Sequence, residues 1–304
     1  MKILVVGGSG FIGKNLINKI SENDLVFNFS RRNSCNLFDF ETAKQKILDF
    51  SPDVVYNLAS HGGSLHYVTK NAANVISDNI QMYLNLYKII SELKVSPLVV
   101  NPISNCSYPG NSSIQSEDDW ANGAPHKSVI SFASSKRTLY YISKCYNLQY
   151  GINSINLIFP NAFGVFDNID PNITHAMDGM IIRMLKAKSN DDPEFEVWGT
   201  GNPIREWIYS EDFASILLEA PGKIKDIEPI NIAQGKGYKI KESVEFIKEL
   251  CGYKGQIVFN TKYMDGDPVK VLCNKKFSLN FPDYKFLDHK EAILKTIKYY
   301  EGVL

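Results

Sequence analysis

Ile3-Leu4-Val5-Val6-Gly7-Gly8-Ser9-Gly10-Phe11-Ile12-Gly13 is the stretch that decides the fold. Its first four residues form a short β-branched run that reads as a strand, and from Lys14 onward Leu16, Ile17 and Ile20 fall at helical spacing. Between them lies a glycine turn. Glycine is needed where the backbone turns tightly, where it must approach a pyrophosphate without a Cβ in the way, and where helix packs on strand. The helix N-terminus then faces the negative charge. Strand, glycine turn and helix in this order point to a dinucleotide site rather than an ordinary glycine-rich turn.

The same alternation continues outward. Leu25 to Phe29 reads as a second strand ending in Ser30-Arg31-Arg32, where an NAD-binding chain carries a ribose-binding carboxylate. Two guanidiniums and a hydroxyl suit the 2′-phosphate of NADP, because Arg grips phosphate with paired hydrogen bonds; a solvated basic turn is the plainer alternative. A helix over 41–50 and a strand over 53–59 follow, closing in Ser60-His61-Gly62-Gly63. His61 there either lines a ligand crevice or makes loop hydrogen bonds. A helix over 79–93 carries Ile80, Tyr83, Leu84, Tyr87, Ile90 and Leu93 on one face, read as core. A strand over 97–100, a helix over 134–150 and a strand over 152–158 complete the first half.

The expected fold class is therefore α/β, a Rossmann-type doubly wound parallel sheet over residues 1–165 with a smaller C-terminal α/β substrate lobe. The lobe takes residues 166–203 and 234–304, while 204–233 return to the main sheet as a strand over 204–209, a helix over 210–220 and a strand over 229–233. Helices over 175–188 and 238–252, and a final pair of elements over 283–304, fill the lobe.

Composition narrows the function. Thirty-three basic residues balance thirty-three acidic ones, so no global field holds a polyanion or an anionic membrane surface, and neither nucleic acid nor membrane is an expected partner. The five cysteines (Cys35, Cys106, Cys145, Cys251, Cys273) are scattered without a Cys-x-x-Cys pair, which points to free thiols in a cytoplasmic protein and to no metal site. No uninterrupted apolar run approaches the roughly 20 residues of a membrane span.

The segment from Pro102 to Lys136 crowds Ser104, Cys106, Tyr108, Ser131, Phe132 and Lys136 together. With Gly7 to Gly13, Asn36-Leu37-Phe38-Asp39, His61-Gly62-Gly63, Ser104-Asn105-Cys106-Ser107-Tyr108-Pro109, Asn161-Ala162-Phe163-Gly164, His175, Trp198-Gly199-Thr200-Gly201, Arg205-Glu206-Trp207 and Gly266-Asp267-Pro268-Val269-Lys270, the chain resembles the extended short-chain dehydrogenase/reductase superfamily, and within it the GDP-L-fucose synthases. In that family a GDP-linked 4-keto-6-deoxy sugar is epimerised at carbons 3 and 5 and reduced at carbon 4 by NADPH.

The resemblance implies an acid/base pair in Cys106 and His175, a keto-oxygen contact in Ser104 and a ribose contact in Lys136. It implies cofactor contacts at Gly7, Gly10, Phe11, Ile12, Gly13, Arg31, Arg32, Asp39, Leu58, Ala59, His61, Lys136, Phe159 and His175, with NADP as cofactor and NAD as the alternative. It implies substrate contacts at Asn161, Arg183, Trp198, Arg205 and Lys270, and a homodimer through the helices over 79–93 and 134–150.

Three departures matter. Phe132 stands where the family's Tyr-x-x-x-Lys motif has its proton-donating tyrosine, Phe163 replaces another tyrosine, and Val269 replaces an arginine. The leading expectation is epimerisation of a GDP-linked or other nucleotide-linked 4-keto sugar by Cys106 and His175, with carbon-4 reduction impaired or absent. The alternatives are an epimerase/reductase or a reductase drawing its proton from Ser104, Lys136, water or Tyr108, Tyr140 or Tyr141; a lyase, which would need a base at position 132; and a non-catalytic dinucleotide-binding protein.

Overall fold

The computed structural model describes residues 1–110, 114–263 and 265–304. Ile3 and Val5 pack on one face of the first strand while Leu4 and Val6 pack on the other, and all four are buried. A strand apolar on both sides belongs in the middle of a parallel sheet covered by helices on both faces. The large sheet is built from β1 (Lys2–Val6), β2 (Leu25–Phe29), β3 (Val54–Asn57), β4 (Leu98–Ser104), β5 (Ser154–Phe159) and β9 (Ile230–Asn231). The order is β2-β1-β3-β4-β5-β9 and every pairing is parallel.

Helices α2 (Phe40–Phe50), α4 (Ala72–Ile90) and α5 (Ile130–Tyr150) cover one face, burying Tyr83, Leu86, Tyr87, Leu139 and Ile142. On the other face Leu16 of α1 (Phe11–Ile17), Phe213 and Leu217 of α7 (Ser210–Lys223) and Phe277 of α9 (Lys275–Asn280) share a second core. Strand order reverses between β1 and β3. That switch point opens a crevice at the C-terminal ends of the strands, where Gly7 lies beside Ala59.

The smaller lobe is organised around β8 (Ile204–Tyr209). It pairs with β6 (Asn161–Phe163), β10 (Gly237–Lys239) and β12 (Val269–Lys270), while β7 (Glu194–Trp198) and β11 (Gln256–Asn260) form a separate parallel pair. Met177, Ile181 and Met184 of α6 (Ala176–Ser189), Val244 and Ile247 of α8 (Ile240–Cys251) and Ile293 and Ile297 of α10 (His289–Glu301) meet Trp207 and Tyr209 in its core. The remaining helix, α3 (Leu65–Lys70), bridges β3 and α4.

Several boundaries differ from the sequence reading. The return of 204–233 to the large sheet starts at α7, because β8 finds all its partners in the small sheet. The segment 238–252 opens as strand β10 before α8, and 283–304 holds one helix rather than a pair of elements. Phe163 is 1% exposed, with Trp207, Tyr209 and His289 around its ring, so this substitution is a core-packing feature rather than a change at a substrate contact. Among the described residues, no helix is long and apolar enough to cross a membrane.

Candidate active site

Gly7 adopts φ +85° and a Cβ there would lie 2.7 Å from the Ala59 nitrogen; a Cβ at Gly13 would collide with the Gly7 carbonyl. These two glycines let the turn close on itself and on β3. Gly10 differs. A Cβ there would meet only the Gly7 oxygen, at 3.2 Å, and Gly10 begins α1 without a side-chain cap. The missing Cβ thus leaves space at a helix N-terminus, which fits a pyrophosphate.

Ser9 and Ser30 join by their hydroxyls at 2.7 Å, and the Arg32 guanidinium reaches the Ser9 carbonyl at 3.5 Å. Arg31 and Arg32 are both exposed beside the glycine turn, where a 2′-phosphate could be gripped. Leu58 and Ala59 follow β3 at the crevice, and the Phe11 ring lies 5.3 Å from that of His175. Asp39 caps α2 by accepting the Thr42 N–H at 3.4 Å. Phe159 stacks on Phe213 at 3.5 Å in the core and is 2% exposed, so only its backbone remains for the crevice.

Cys106 sits in the turn that leaves β4, its N–H donating to the Ser104 hydroxyl at 3.2 Å. Lys270, buried on β12, places its Nζ 3.5 Å from Cys106 Sγ. Burial pushes the thiol up, but Lys270, the Ser104 hydroxyl and Arg205 together outweigh it and hold the thiol below its ordinary range.

His175 precedes the first turn of α6. Its Nδ1 lies 3.0 Å from Asp167 Oδ2, which also accepts the His175 backbone N–H at 2.8 Å. The imidazole is half-exposed while Asp167 is buried. Desolvation lowers this histidine, yet Asp167, with smaller contributions from Asp178 and Cys106, outweighs it and raises the imidazole above its ordinary value. The thiol and the imidazole are thus electrostatically linked and tuned in opposite directions.

Lys136 is buried, donates to the Pro102 carbonyl at 3.2 Å, and sits 5.6 Å from the Phe132 ring centroid and 5.5 Å from that of Tyr83. Position 132 therefore lies beside its lysine, without an oxygen. Of the tyrosines near in sequence, Tyr108 donates to Asn231, Tyr140 donates to Glu228, and Tyr141 is half-exposed on α5.

At the other end of the site, Arg205 on β8 pairs in register with Lys270, which puts two cations side by side. Arg183 lies over the rings of Phe195 and Trp198, and Trp198 stacks on Tyr263 at 4.6 Å. Asn161 donates its amide to the Glu206 carbonyl at 3.0 Å. Among the described residues, no group of three His, Cys, Asp or Glu is arranged to hold a metal ion.

Sequence reasoning missed Asp167 as the partner of His175, Tyr263 as the partner of Trp198, and the bonding of His61 to Asp78 and Tyr67. An acidic residue eight positions before a candidate histidine was a usable signal for the first. The second depends on the β7–β11 pairing, and pairing between distant strands leaves no local mark.

The family model "NAD dependent epimerase/dehydratase family" matches residues 3–233. The chain is 27% identical over 304 residues to a GDP-L-fucose synthase of Dictyostelium discoideum, covering 98% of this chain and 94% of that relative. It is 26% identical over 303 residues to a GDP-L-colitose synthase of Yersinia pseudotuberculosis, covering 99% and 98%. Among solved structures, a GDP-L-fucose synthetase from Naegleria fowleri bound to NADP superimposes with a TM-score of 0.90 at 26% identity, covering 99% of this chain and 92% of that one. With a glycine turn at the switch point of a parallel sheet and a family match over most of its length, the chain belongs to the NAD dependent epimerase/dehydratase family.

Proposed function

We propose that the chain is a sugar-nucleotide epimerase that inverts carbon 3, carbon 5 or both of a GDP-linked 4-keto sugar. The observation that carries this reading is the opposed tuning of Cys106 and His175, whose charges reach each other: a thiol lowered by Lys270 and a histidine raised by Asp167. Cys106, as thiolate, removes the hydrogen next to the ketone; the electron pair moves onto the keto oxygen, which the Ser104 hydroxyl meets; His175, as imidazolium, returns a proton to the carbon from the other face. Arg205 and Lys270 hold the diphosphate, with Trp198, Arg183 and Asn161 along the nucleotide and sugar.

The crevice at Gly7, Gly10, Gly13, Arg31 and Arg32 holds NADP, with NAD the alternative. A bound nicotinamide there supplies hydride chemistry. Enolate chemistry needs none, so Phe132 leaves epimerisation intact, whereas reduction at carbon 4 is slowed by about 10²–10⁴-fold unless another group replaces the lost general acid. The same reading takes the chain as a cytoplasmic homodimer joined through α4 and α5.

The test is deuterium uptake from solvent into GDP-4-keto-6-deoxymannose, with NADPH oxidation followed in parallel. Uptake lost in Cys106→Ala and His175→Ala supports the reading. Absence of uptake on any GDP-linked 4-keto sugar overturns it. A second reading, in which reduction at carbon 4 persists, is favoured by the Tyr67–His61–Asp78 chain of hydrogen bonds close to Phe132.

A further inference from the structure

We propose that Tyr67, backed by His61 and Asp78, donates the proton to the oxygen at sugar carbon 4 that Phe132 has no hydroxyl to supply. This rests on the 4-keto-sugar reading of the site. Tyr67 Oη lies 2.9 Å from His61 Nε2, and His61 Nδ1 lies 2.7 Å from Asp78 Oδ2. The His61 backbone is clamped by Asn79, whose Oδ1 accepts its N–H at 2.7 Å and whose amide donates to its carbonyl at 2.9 Å. All four polar atoms of His61 are therefore engaged, and the imidazole is fixed in place and in orientation.

The position of this chain is set by its glycines. A Cβ on Gly62 would lie 3.2 Å from the Phe132 ring, and a Cβ on Gly63 would lie 2.8 Å from the Tyr67 ring and 3.0 Å from the Asn172 carbonyl. Ser64 N–H donates to that carbonyl at 2.9 Å, three residues ahead of His175. Below, Ser131, next to Phe132, donates to the Val68 carbonyl at 3.2 Å, and Thr69 donates to the Ser128 carbonyl at 3.0 Å. Tyr67 thus stands between the wall that carries Phe132 and the loop that leads to His175. Two successive residues without Cβ let the rings of Phe132 and Tyr67 close on the loop that holds His61.

The chemistry balances. With His61 as imidazolium, Nδ1–H points to Asp78 and Nε2–H to the Tyr67 oxygen, leaving the phenolic proton free to be given away. When a hydride from a reduced nicotinamide has reached carbon 4, the carbonyl π pair rests on oxygen. The Tyr67 O–H bond breaks as that oxygen takes the proton, and the phenolate takes the proton from His61 Nε2. Neutral His61 keeps its Nδ1–H on Asp78. The Asp78 side chain is 41% exposed and that of His61 24%, so water can return the proton.

The experiment uses the full chain with NADPH and GDP-4-keto-6-deoxymannose, measuring NADPH oxidation and solvent deuterium uptake in the same samples. Tyr67→Phe and His61→Ala should each lower the ratio of oxidation to uptake by about 100-fold. Adding Phe132→Tyr to Tyr67→Phe should restore it. In the sugar-free chain, ¹⁵N NMR of the imidazoles should show the His61 Nε2 signal displaced by Tyr67→Phe, a readout independent of turnover. An unchanged ratio in Tyr67→Phe overturns the relay, as does a wild-type chain that takes up deuterium but never oxidises NADPH. Oxidation that depends on Tyr67 without any deuterium uptake keeps the relay and overturns the epimerase reading. Neither oxidation nor uptake overturns both.

Discussion

A thiol 3.5 Å from an ammonium and an imidazole bonded to a buried carboxylate are shifted toward each other, the thiol down and the imidazole up. Deuterium uptake should therefore follow a bell. Under the proposed function one limb belongs to Cys106 and lies below the ordinary thiol value of 9.0, and the other belongs to His175 and lies above the ordinary imidazole value of 6.5. Lys270→Met removes the nearest cation and should move the Cys106 limb upward by about 1–3 pH units, with the pH profile of Cys106 alkylation by iodoacetamide moving in step. Alkylation that keeps its wild-type profile would show that Lys270 does not set the thiol. At position 132 the expected outcome depends on background. Phe132→Tyr should raise NADPH oxidation by about 100-fold where Tyr67 has been changed to Phe, and by much less in the wild type, because two donors for one oxygen are not additive.

Among the elements, β8 decides how Arg205 and its neighbour Lys270 are placed, and Glu206 decides how β8 is held. The Glu206 carboxyl is fully buried and accepts N–H groups from Gln234 at 2.7 Å, Gly235 at 3.0 Å and Leu272 at 2.8 Å, tying β8 to the segments after β9 and β12. Burial pushes this acid up to about 7 against those hydrogen bonds. A raised folded value means that the folded chain binds the proton more tightly than the unfolded chain. This contribution to stability is complete below the unfolded value of 4.5 and is lost as pH rises through about 7, on the order of 3 kcal/mol in all. Glu206→Gln should flatten that dependence in denaturant melts while lowering stability overall by about 1–3 kcal/mol, since its amide would face the Leu272 N–H donor to donor. A wild-type chain equally stable at both ends of this window would contradict the assignment.

Element recognition from sequence was good where a run was apolar on both faces, as in β1, or on one face, as in β2 and β5, and where α6 and α7 carry helical periodicity. It failed where partners are distant. β8 alternates like any strand, and nothing local says that its neighbours are residues 161–163, 237–239 and 269–270. α4 begins at Ala72 instead of 79 because Asn71, Asn74, Ser77 and Asp78 hide its first turns from an apolar count. Cys106, His175 and Lys136 were legible from motif context, whereas the Lys270–Cys106 contact spans 164 residues and the Tyr67–His61 bond looks like ordinary loop chemistry until Phe132 is seen across Gly62.

At the scale of the whole molecule, the large sheet carries the glycine turn and delivers Cys106 at the end of β4, while the small lobe carries Arg205, Lys270 and the helix that begins at His175. Under the proposed function each lobe thus supplies one ligand end and one member of the acid/base pair. Under the proposed function, NADP and GDP should stabilise the chain from different lobes, each by about 2.7 kcal/mol at a free concentration 100 times its dissociation constant. Independent sites would give additive gains in thermal melts. The Lys270–Cys106 contact joins the lobes at the centre of the site, so the gain with both ligands should exceed the sum. Arg205→Ala should remove the GDP gain and keep the NADP gain, whereas Gly10→Val, which fills the space at the start of α1, should do the reverse. If Arg205→Ala removes both gains, the ligands do not divide between the lobes, and the placement of the diphosphate on β8 and β12 is wrong.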